Sequence, residues 1–306
     1  MSDPFLDNIG ELFEKKDYLG VIKAWGIDTS NSHEFKAAAY ANYQPQKNDV
    51  IVSTYPKCGT TWMNQICAQI GFKGRGDYEH IDAIVPWPDK LVPIDFNPEI
   101  GDKSRLEGSP TGLQVIKGHL ESDYIPINDD ARYINIIRNP KDAFVSMVHF
   151  ENGFNQLLFG ESVPVDAWIE AFGNDGFIYQ PWALVTHSWW KLRNLPNVSV
   201  LLFEDMKGDP RGTVKNVAEF LDIDLTDKDF ELVCEKSSFQ YMKENEHMFA
   251  PPAWDEGPVN LVREGKTGSS KTELSDEQRQ RIDTICINAL AEYGSDFPYQ
   301  EVYGEK

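Results

Sequence analysis

Short apolar runs, separated by segments of helical spacing, dominate the middle of this 306-residue chain. The first run is Val50-Ile51-Val52, and the segment after it places Trp62, Ile66 and Ile70 on one face of a helix. The runs are nearly continuous rather than alternating, which is typical of strands buried on both faces of a parallel sheet. Four strands are predicted in this way, over residues 49–54, 113–117, 132–137 and 198–203.

Helix signals lie between and after these strands. Helices are predicted over residues 60–72, after the cap Asn139-Pro140, over 165–195, after Asp209-Pro210, over 227–246 in two pieces, and from the capping box Ser275–Gln278 to about Tyr293. The alternation predicts an α/β fold with a central parallel sheet and helices on both faces, in a single domain over residues 1–306.

Three segments lack this regular pattern. Residues 1–45 form a helical, partly irregular lead-in. Residues 73–112 are rich in Gly, Pro and Asp, and residues 247–274 are also irregular. Long segments of this kind in a compact domain are more often binding loops than linkers, so we expect both to serve the substrate or the donor.

Composition narrows the class of protein. The chain is 41% apolar and 25% charged, which is typical of a globular protein. No window approaches the roughly 18 apolar residues of a membrane span, and no secretory signal is evident. The four cysteines have no paired spacing, which favours a reducing compartment without disulfides or zinc. We therefore expect a cytoplasmic protein without a bound metal.

The net charge is strongly negative, with 29 basic and 49 acidic residues giving −20. Such a charge opposes non-specific binding to nucleic acid or to an anionic membrane. The favoured interpretation is solubility. The alternative is a field that attracts a cationic substrate.

The most informative stretch is Ser53-Thr54-Tyr55-Pro56-Lys57-Cys58-Gly59-Thr60-Thr61-Trp62. It joins a predicted strand to a predicted helix, and helix N-termini offer unpaired N–H groups and positive potential to an anion. The Walker pattern Gly-x-x-x-x-Gly-Lys-Ser/Thr is absent, because Lys57 precedes Gly59. Chemistry alone predicts a phosphate site here and leaves the nucleotide open.

The string Tyr-Pro-Lys-x-Gly-Thr-Thr-Trp resembles the 5′-phosphosulfate loop of the cytosolic sulfotransferases. That resemblance implies a P-loop-like α/β fold and a sulfate donor, 3′-phosphoadenosine 5′-phosphosulfate (PAPS), which leaves as PAP. It implies that the loop residues Lys57, Cys58, Gly59, Thr60 and Thr61 bind the donor at its 5′-phosphate and that Trp62 stacks on the adenine. Cys58 stands where the family usually has Ser.

Two further motifs carry the resemblance. Arg138-Asn-x-Lys-Asp-x-x-x-Ser146 resembles the family's 3′-phosphate motif, so Arg138 and Ser146 are assigned to that phosphate. Lys117-Gly118-His119 stands where the family has Lys-Thr-His, whose His is the catalytic base. Positions 117 and 119 also point the same way on an extended strand.

Weaker matches complete the donor site. Phe203 begins a sequence similar to Tyr-Glu-Asp-Met, and the hydroxyl of that Tyr is missing here. Ser237, Phe239 and Met242 match the adenine-side pattern Thr-Ser-Phe-x-x-Met. Four polar residues lie within three residues of the end of a predicted strand and are expected to share one cleft: Lys57, His119, Arg138 and Glu204.

The last motif departs most from the family. Arg263, Gly265 and Gly268 fit the pattern Arg-Lys-Gly-x-x-Gly-Asp-Trp-Lys, but Glu264 replaces Lys and Ser269-Ser270 replace Asp-Trp. The resemblance implies that Arg263 holds the 3′-phosphate and that Glu264 and Gly265 also contact the donor. We expect these changes to lower the affinity for the donor. The family's dimerisation pattern is not kept either, which leaves the oligomeric state open.

The resemblance implies in-line sulfuryl transfer to a hydroxyl or amine of a small molecule, with His119 as base and Lys57 and Lys117 neutralising charge. Five aromatic residues are candidates for the acceptor pocket: Trp25, Trp87, Phe96, Phe150 and Phe249. The acceptor is either an aromatic or polycyclic alcohol, or a cationic nitrogen-rich metabolite held by acids such as Glu151 or Asp255. Two alternative hypotheses for the function are a P-loop kinase-like phosphotransferase and a catalytically weak nucleotide-binding interaction protein.

Cys58 permits two interpretations. A thiol at a helix N-terminus beside Lys57 is expected to have a lowered pKa and to react with alkylators. The favoured alternative is a small residue that only fills the usual Ser position.

Overall fold

The computed structural model describes residues 3–26, 32–90, 94–173, 177, 179–250, 265 and 267–304. The strands are β1 (Asp49–Ser53), β2 (Gln114–Gly118), β3 (Arg132–Ile137) and β4 (Val198–Leu202). The helices are α1 (Pro4–Glu14), α2 (Tyr18–Trp25), α3 (His33–Ala39), α4 (Thr60–Gly71), α5 (Pro140–Phe159), α6 (Val165–Ala171), α7 (Trp182–Trp190), α8 (Phe203–Gly208), α9 (Pro210–Phe220), α10 (Asp227–Lys236), α11 (Phe239–Glu244), α12 (Ser270–Glu273), α13 (Asp276–Glu292) and α14 (Tyr299–Tyr303). All four predicted strands are confirmed to within one residue at either end.

The four strands form one parallel sheet in the order β2-β1-β3-β4. Ser53 pairs with Gly118, and Ile137 pairs with Leu202, so the strands end nearly level with one another. Parallel strands that end together present their following loops at one edge of the sheet. This register brings the loops after β1, β2, β3 and β4 to the same edge.

Both faces of the sheet are covered, as the continuous apolar runs predict. Val50 and Val52 of β1 point into a core that α4, α9 and α10 help to form. Ile51, between them, points into a second core on the side of α5, α7 and α13. This alternation buries every residue of β1.

The predicted helix over residues 165–195 is two helices instead. α6 ends at Ala171 and α7 begins at Trp182. Pro181 directly precedes α7, and a proline disfavours helical backbone in the residue before it. Residues 227–246 divide as predicted, into α10 and α11.

In the part of the chain that the structure describes, no helix is long and apolar enough to cross a membrane.

Candidate active site

The loop between β1 and α4 makes a tight turn. Lys57 and Gly59 both have left-handed backbone, with φ values of 66° and 103°. Such a conformation is unusual for a side chain such as lysine, and it recurs at functional sites. Gly59 is the N-cap of α4 and has no side chain to satisfy the first N–H groups of that helix. N–H groups at a helix N-terminus without a side-chain cap suit an anion.

The two threonines that begin α4 have different environments. The Thr60 hydroxyl lies 2.5 Å from the hydroxyl of Thr54, and both side chains are buried. Thr61 is half-buried. The Thr60 hydroxyl therefore connects the start of α4 to the residue that directly follows β1.

The Cys58 side chain is fully buried in the core beneath the loop. Burial raises the pKa of its thiol to about 12, although the nearby Arg138 guanidinium acts in the opposite direction. The expectation of a reactive, low-pKa thiol is therefore wrong. Desolvation of the thiolate outweighs the positive charge beside it, because the side chain points inward rather than toward the helix N-terminus.

Arg138, the first residue after β3, ties the third strand to this loop. Its Nη1 donates a hydrogen bond of 2.7 Å to the carbonyl of Lys57. Its guanidinium lies 4.5 Å from the centre of the Phe203 ring. Ser146, the other predicted 3′-phosphate residue, is half-buried on α5, two turns beyond Arg138.

The first residues of α4 and α8 bring two aromatic rings together beside the loop. The Trp62 and Phe203 rings meet edge to face with 5.9 Å between their centres. The Trp62 indole donates a hydrogen bond of 2.9 Å to the carbonyl of Ser237. Met242 is buried behind them, and Phe239 is partly exposed. The predicted adenine-side residues are thus joined through Trp62, although they come from α4, α8 and the region around α11.

Glu204, the second residue of α8, makes contacts at the same edge just after β4 ends. Its Oε1 accepts a hydrogen bond of 3.1 Å from the backbone N–H of Asn139, and Tyr303 donates to its Oε2 at 3.3 Å. Burial raises the pKa of its carboxyl, partly offset by the Asn139 hydrogen bond and by Arg138. Glu204 therefore links the ends of β3 and β4.

His119 is fixed by two hydrogen bonds at the end of β2. Its Nδ1 lies 2.9 Å from the Thr54 carbonyl, and its backbone N–H donates to Asp89 Oδ2 at 2.6 Å. Burial lowers the pKa of its imidazole to about 3, and the positive charges of Lys117 and Lys57 act in the same direction. The imidazole is therefore neutral over the physiological pH range.

Lys117 shares an aromatic neighbour with His119. The Lys117 ammonium lies 3.5 Å from the centre of the Trp87 ring and 3.4 Å from Asp82 Oδ1. Trp87 also meets the His119 ring edge to face at 5.5 Å. This arrangement confirms that Lys117 and His119 point to the same side of the strand.

The five aromatic residues predicted for the acceptor pocket separate into two groups. Trp87 lies beside Lys117 and His119, and Phe150 lies under Lys57 with the ammonium 3.7 Å from its ring centre. Trp25 packs on Phe5 and Phe159, Phe96 packs on His80, and Phe249 is buried in the core on the α4 side. The structure thus joins two of the five directly to the lysines and histidine of the site.

Sequence reasoning missed several residues that border these groups. Asp89 holds the His119 backbone, and Tyr179 donates a hydrogen bond of 2.6 Å to the buried carboxyl of Glu151. Phe154 packs edge to face on Phe150, and its position four residues later on α5 is a signal that helical spacing provides. No local pattern marks Asp89 or Tyr179, because their partners are distant in sequence.

Two polar groups at the predicted donor contacts are buried without a partner. The Arg138 Nε–H and the Ser237 hydroxyl make no hydrogen bond within the described residues. Buried polar groups are almost always satisfied, so each is suited to a ligand that arrives with acceptor atoms. Phosphates and an adenine ring supply such atoms, and the residues present therefore fit PAPS. Arg263 and Glu264, which were also predicted to contact the donor, and Asp255, predicted to hold a cationic acceptor, lie outside the described residues.

No group of three or more His, Cys, Asp or Glu side chains in the described part of the chain is arranged to hold a metal ion.

Comparisons of this sequence with known proteins identify the family of the chain. A model of the sulfotransferase domain matches residues 47–294. The 3-alpha-hydroxysteroid sulfotransferase of Cavia porcellus is 32% identical over 251 residues, which cover 80% of this chain and 84% of that protein.

Solved structures agree on the fold. Retinol dehydratase in complex with retinol and PAP superposes with a TM-score of 0.66 at 18% identity, covering 87% of this chain and 88% of the other. Mouse sulfotransferase SULT7A1 complexed with PAP superposes with a TM-score of 0.63 at 24% identity, covering 90% and 96%. The chain therefore belongs to the sulfotransferase family, the class of enzymes that its motifs predicted and one that uses PAPS as sulfuryl donor.

Proposed function

We propose that this enzyme transfers a sulfuryl group from PAPS to a hydroxyl or amine of a small-molecule acceptor, with His119 as general base. The observation that carries the proposal is the convergence of Lys57, His119 and Arg138 at the edge of the sheet where the strands end. The donor, when bound, supplies the activated sulfuryl group. Arg138, Ser146 and the N-terminus of α4 would hold its phosphates.

The orientation of His119 suits the role of base. A carbonyl oxygen only accepts hydrogen bonds, so the contact with Thr54 places the imidazole proton on Nδ1. Nε2 then carries a lone pair and can take the proton of the acceptor. Because the His119 pKa is low, this nitrogen is unprotonated in the free enzyme at neutral pH. A general base is most effective when its pKa lies near the operating pH, so the low pKa keeps Nε2 free of a proton but also lowers its basicity in the free enzyme.

The lysines supply positive charge where negative charge develops. Lys57 follows β1 and Lys117 lies in β2, so both flank His119. Charge of this kind, fixed in a partly desolvated site, stabilises a transition state without reorganisation at the moment of reaction. In the present structure Lys117 also pairs with Asp82, which keeps its ammonium beside the histidine.

The preferred acceptor is an aromatic or polycyclic alcohol, supported by Trp87 and Phe150 beside the reactive groups. The relatives bear on this point only by analogy, since one is named for a hydroxysteroid and one structure contains retinol. A cationic acceptor is the second candidate. Glu151, a buried carboxyl on α5 next to Phe150, and the net charge of −20 favour it.

The test is an acceptor screen with radiolabelled PAPS, without added metal. Product formation with phenols and sterols supports the proposal, and a matched pair, para-ethylphenol and tyramine, separates neutral from cationic acceptors. Steering by the negative field predicts that kcat/KM for tyramine falls with salt while that for para-ethylphenol does not. Transfer from ATP in the presence of Mg²⁺ would instead support a kinase, and PAP binding without any turnover would support an interaction protein.

A further inference from the structure

Asp142, in the first turn of α5, accepts two backbone N–H groups from a distant part of the chain. Its Oδ2 lies 2.6 Å from the N–H of Gly268, and its Oδ1 lies 2.9 Å from the N–H of Ser270. The side chain is buried, with 2% of its surface exposed. Hydrogen bonds from N–H groups to an ionised carboxylate are among the stronger ones in proteins. Asp142 therefore fixes this piece of backbone, which we call the latch segment (Gly265 and residues 267–270).

The latch segment is fixed next to the predicted 3′-phosphate residues. Asp142 lies four positions before Ser146 on α5, and residues four apart on a helix share a face. Arg138 stands two residues before the helix begins. The position of Asp142 in the first turn of α5 stabilises its negative charge through the helix dipole.

The other end of the latch segment rests on the adenine side of the site. Gly265 has φ +57°, and a Cβ placed there would lie 2.3 Å from the Phe239 ring. Only glycine permits this approach. The ammonium of Lys207 lies 5.2 Å from the centre of the same ring. The latch segment thus contacts Phe239, a predicted adenine-side residue, and Asp142, which lies between the predicted 3′-phosphate residues Arg138 and Ser146 in the sequence.

A carboxylate is an unfavourable ligand for a phosphate, because two negative charges repel each other. Both oxygens of Asp142 are moreover occupied by the latch segment. Its influence on an anionic donor must therefore pass through the backbone that it holds.

We propose that Asp142 is a positioning residue that clamps the latch segment across the donor site. The inference rests on the proposed donor site. The clamp uses main-chain N–H groups, which every residue other than proline possesses. The replacement of Asp-Trp by Ser269-Ser270 therefore leaves it intact, and donor binding survives that departure from the family pattern.

The experiment compares Asp142→Ala and Asp142→Asn with a matched control, Asp283→Asn. Asp283 pairs with Lys141, the neighbour of Asp142 on α5, and its loss disturbs the same helical turn without touching the latch segment. Calorimetric titration with PAP gives affinity, steady-state kinetics gives the donor KM and kcat, and hydrogen exchange reports on a peptide spanning residues 265–274.

We expect Asp142→Ala to weaken PAP binding and raise the donor KM by about tenfold, with kcat at saturating donor changed by less than about threefold. Asp142→Asn retains one acceptor oxygen and should fall between the alanine variant and wild type. It also keeps the test usable if the alanine variant does not fold. In both variants the 265–274 peptide should exchange faster, whereas Asp283→Asn should leave PAP affinity and that exchange near wild type.

The proposal is overturned if PAP affinity and exchange of the peptide are unchanged in Asp142→Ala, or if Asp283→Asn reproduces both effects. Failure of the proposed donor site can be told apart from failure of the clamp, because the wild-type enzyme itself would then not bind PAP. The exchange of the 265–274 peptide would still decide whether Asp142 holds the segment, and unchanged exchange would reject the clamp.

Discussion

His119 Nδ1 lies 2.9 Å from the carbonyl oxygen of Thr54, the residue that directly follows β1. This one hydrogen bond joins the end of β2 to the start of the phosphate loop. It also determines which ring nitrogen carries the proton, since a carbonyl cannot donate. Nε2 is thereby left as the basic nitrogen.

Replacing His119 by Ala should lower kcat by roughly 10²–10⁴-fold, the usual contribution of a general base. PAP affinity should stay within a few-fold of wild type, because the phosphate contacts are assigned to other residues. Single-turnover rates and calorimetric titration measure the two quantities. Near-normal turnover in a folded His119→Ala variant would reject the assignment of the base.

The low His119 pKa predicts a specific dependence of stability on pH. The folded pKa is about 3 and the ordinary value is 6.5, so between these values the unfolded chain binds a proton that the folded chain does not. Stability from this group is therefore fully present above pH 6.5 and is lost as the pH falls toward 3. Relative to His119→Gln, the wild-type unfolding free energy should fall by up to about 1.4 kcal/mol per pH unit in this window.

Chemical denaturation of both proteins at pH 7, 6 and 5 measures this difference. The comparison with His119→Gln is needed because buried acids act in the opposite direction. Burial raises the pKa of Asp89 to about 6 and that of Glu151 to about 7. Their contributions are lost as the pH rises, and they largely cancel in the difference between the two proteins. A difference that does not change with pH would contradict the low His119 pKa.

Cys58 should resist alkylation in the native enzyme. Its thiol is buried and its pKa is raised to about 12, so almost no thiolate forms at pH 8. Cys234 is only half-buried and serves as the internal reference for labelling by iodoacetamide. Peptide mapping after a timed reaction should find label at Cys234 well before Cys58, and faster labelling of Cys58 would show that the thiol is reactive after all.

Gly59→Ala should impair both stability and donor binding. A side chain at φ 103° is strained, and its Cβ would lie 2.9 Å from the Phe203 ring. We expect a loss of about 1–2 kcal/mol in the free energy of unfolding and a raised KM for PAPS. Gly101→Ala is the matched control, because no atom lies within 4 Å of the added Cβ. Equal effects of the two substitutions on the KM for PAPS would contradict this role of Gly59.

Much of the fold follows from local sequence. The strands were predictable because a strand covered on both faces needs a continuous apolar run, and β1 and β3 have one. The caps of α5 and α13 were predictable because Asn139 and Ser275 bond to backbone N–H groups a few residues away. The break between α6 and α7 was missed although the sequence marks it, with Gly173-Asn174-Asp175-Gly176 and with Pro181 directly before α7.

The sequence by itself determined the family, the parallel α/β fold and the residues that meet at the ends of the strands, since each depends on patterns within a few consecutive residues. The tertiary structure decided the chemical state of those residues. The tautomer of His119 depends on a carbonyl 65 residues away, and the latch on Asp142 depends on an N–H group 126 residues away. The pKa of the Cys58 thiol was likewise not predictable from local sequence, because it depends on the core that encloses the side chain rather than on the neighbouring Lys57.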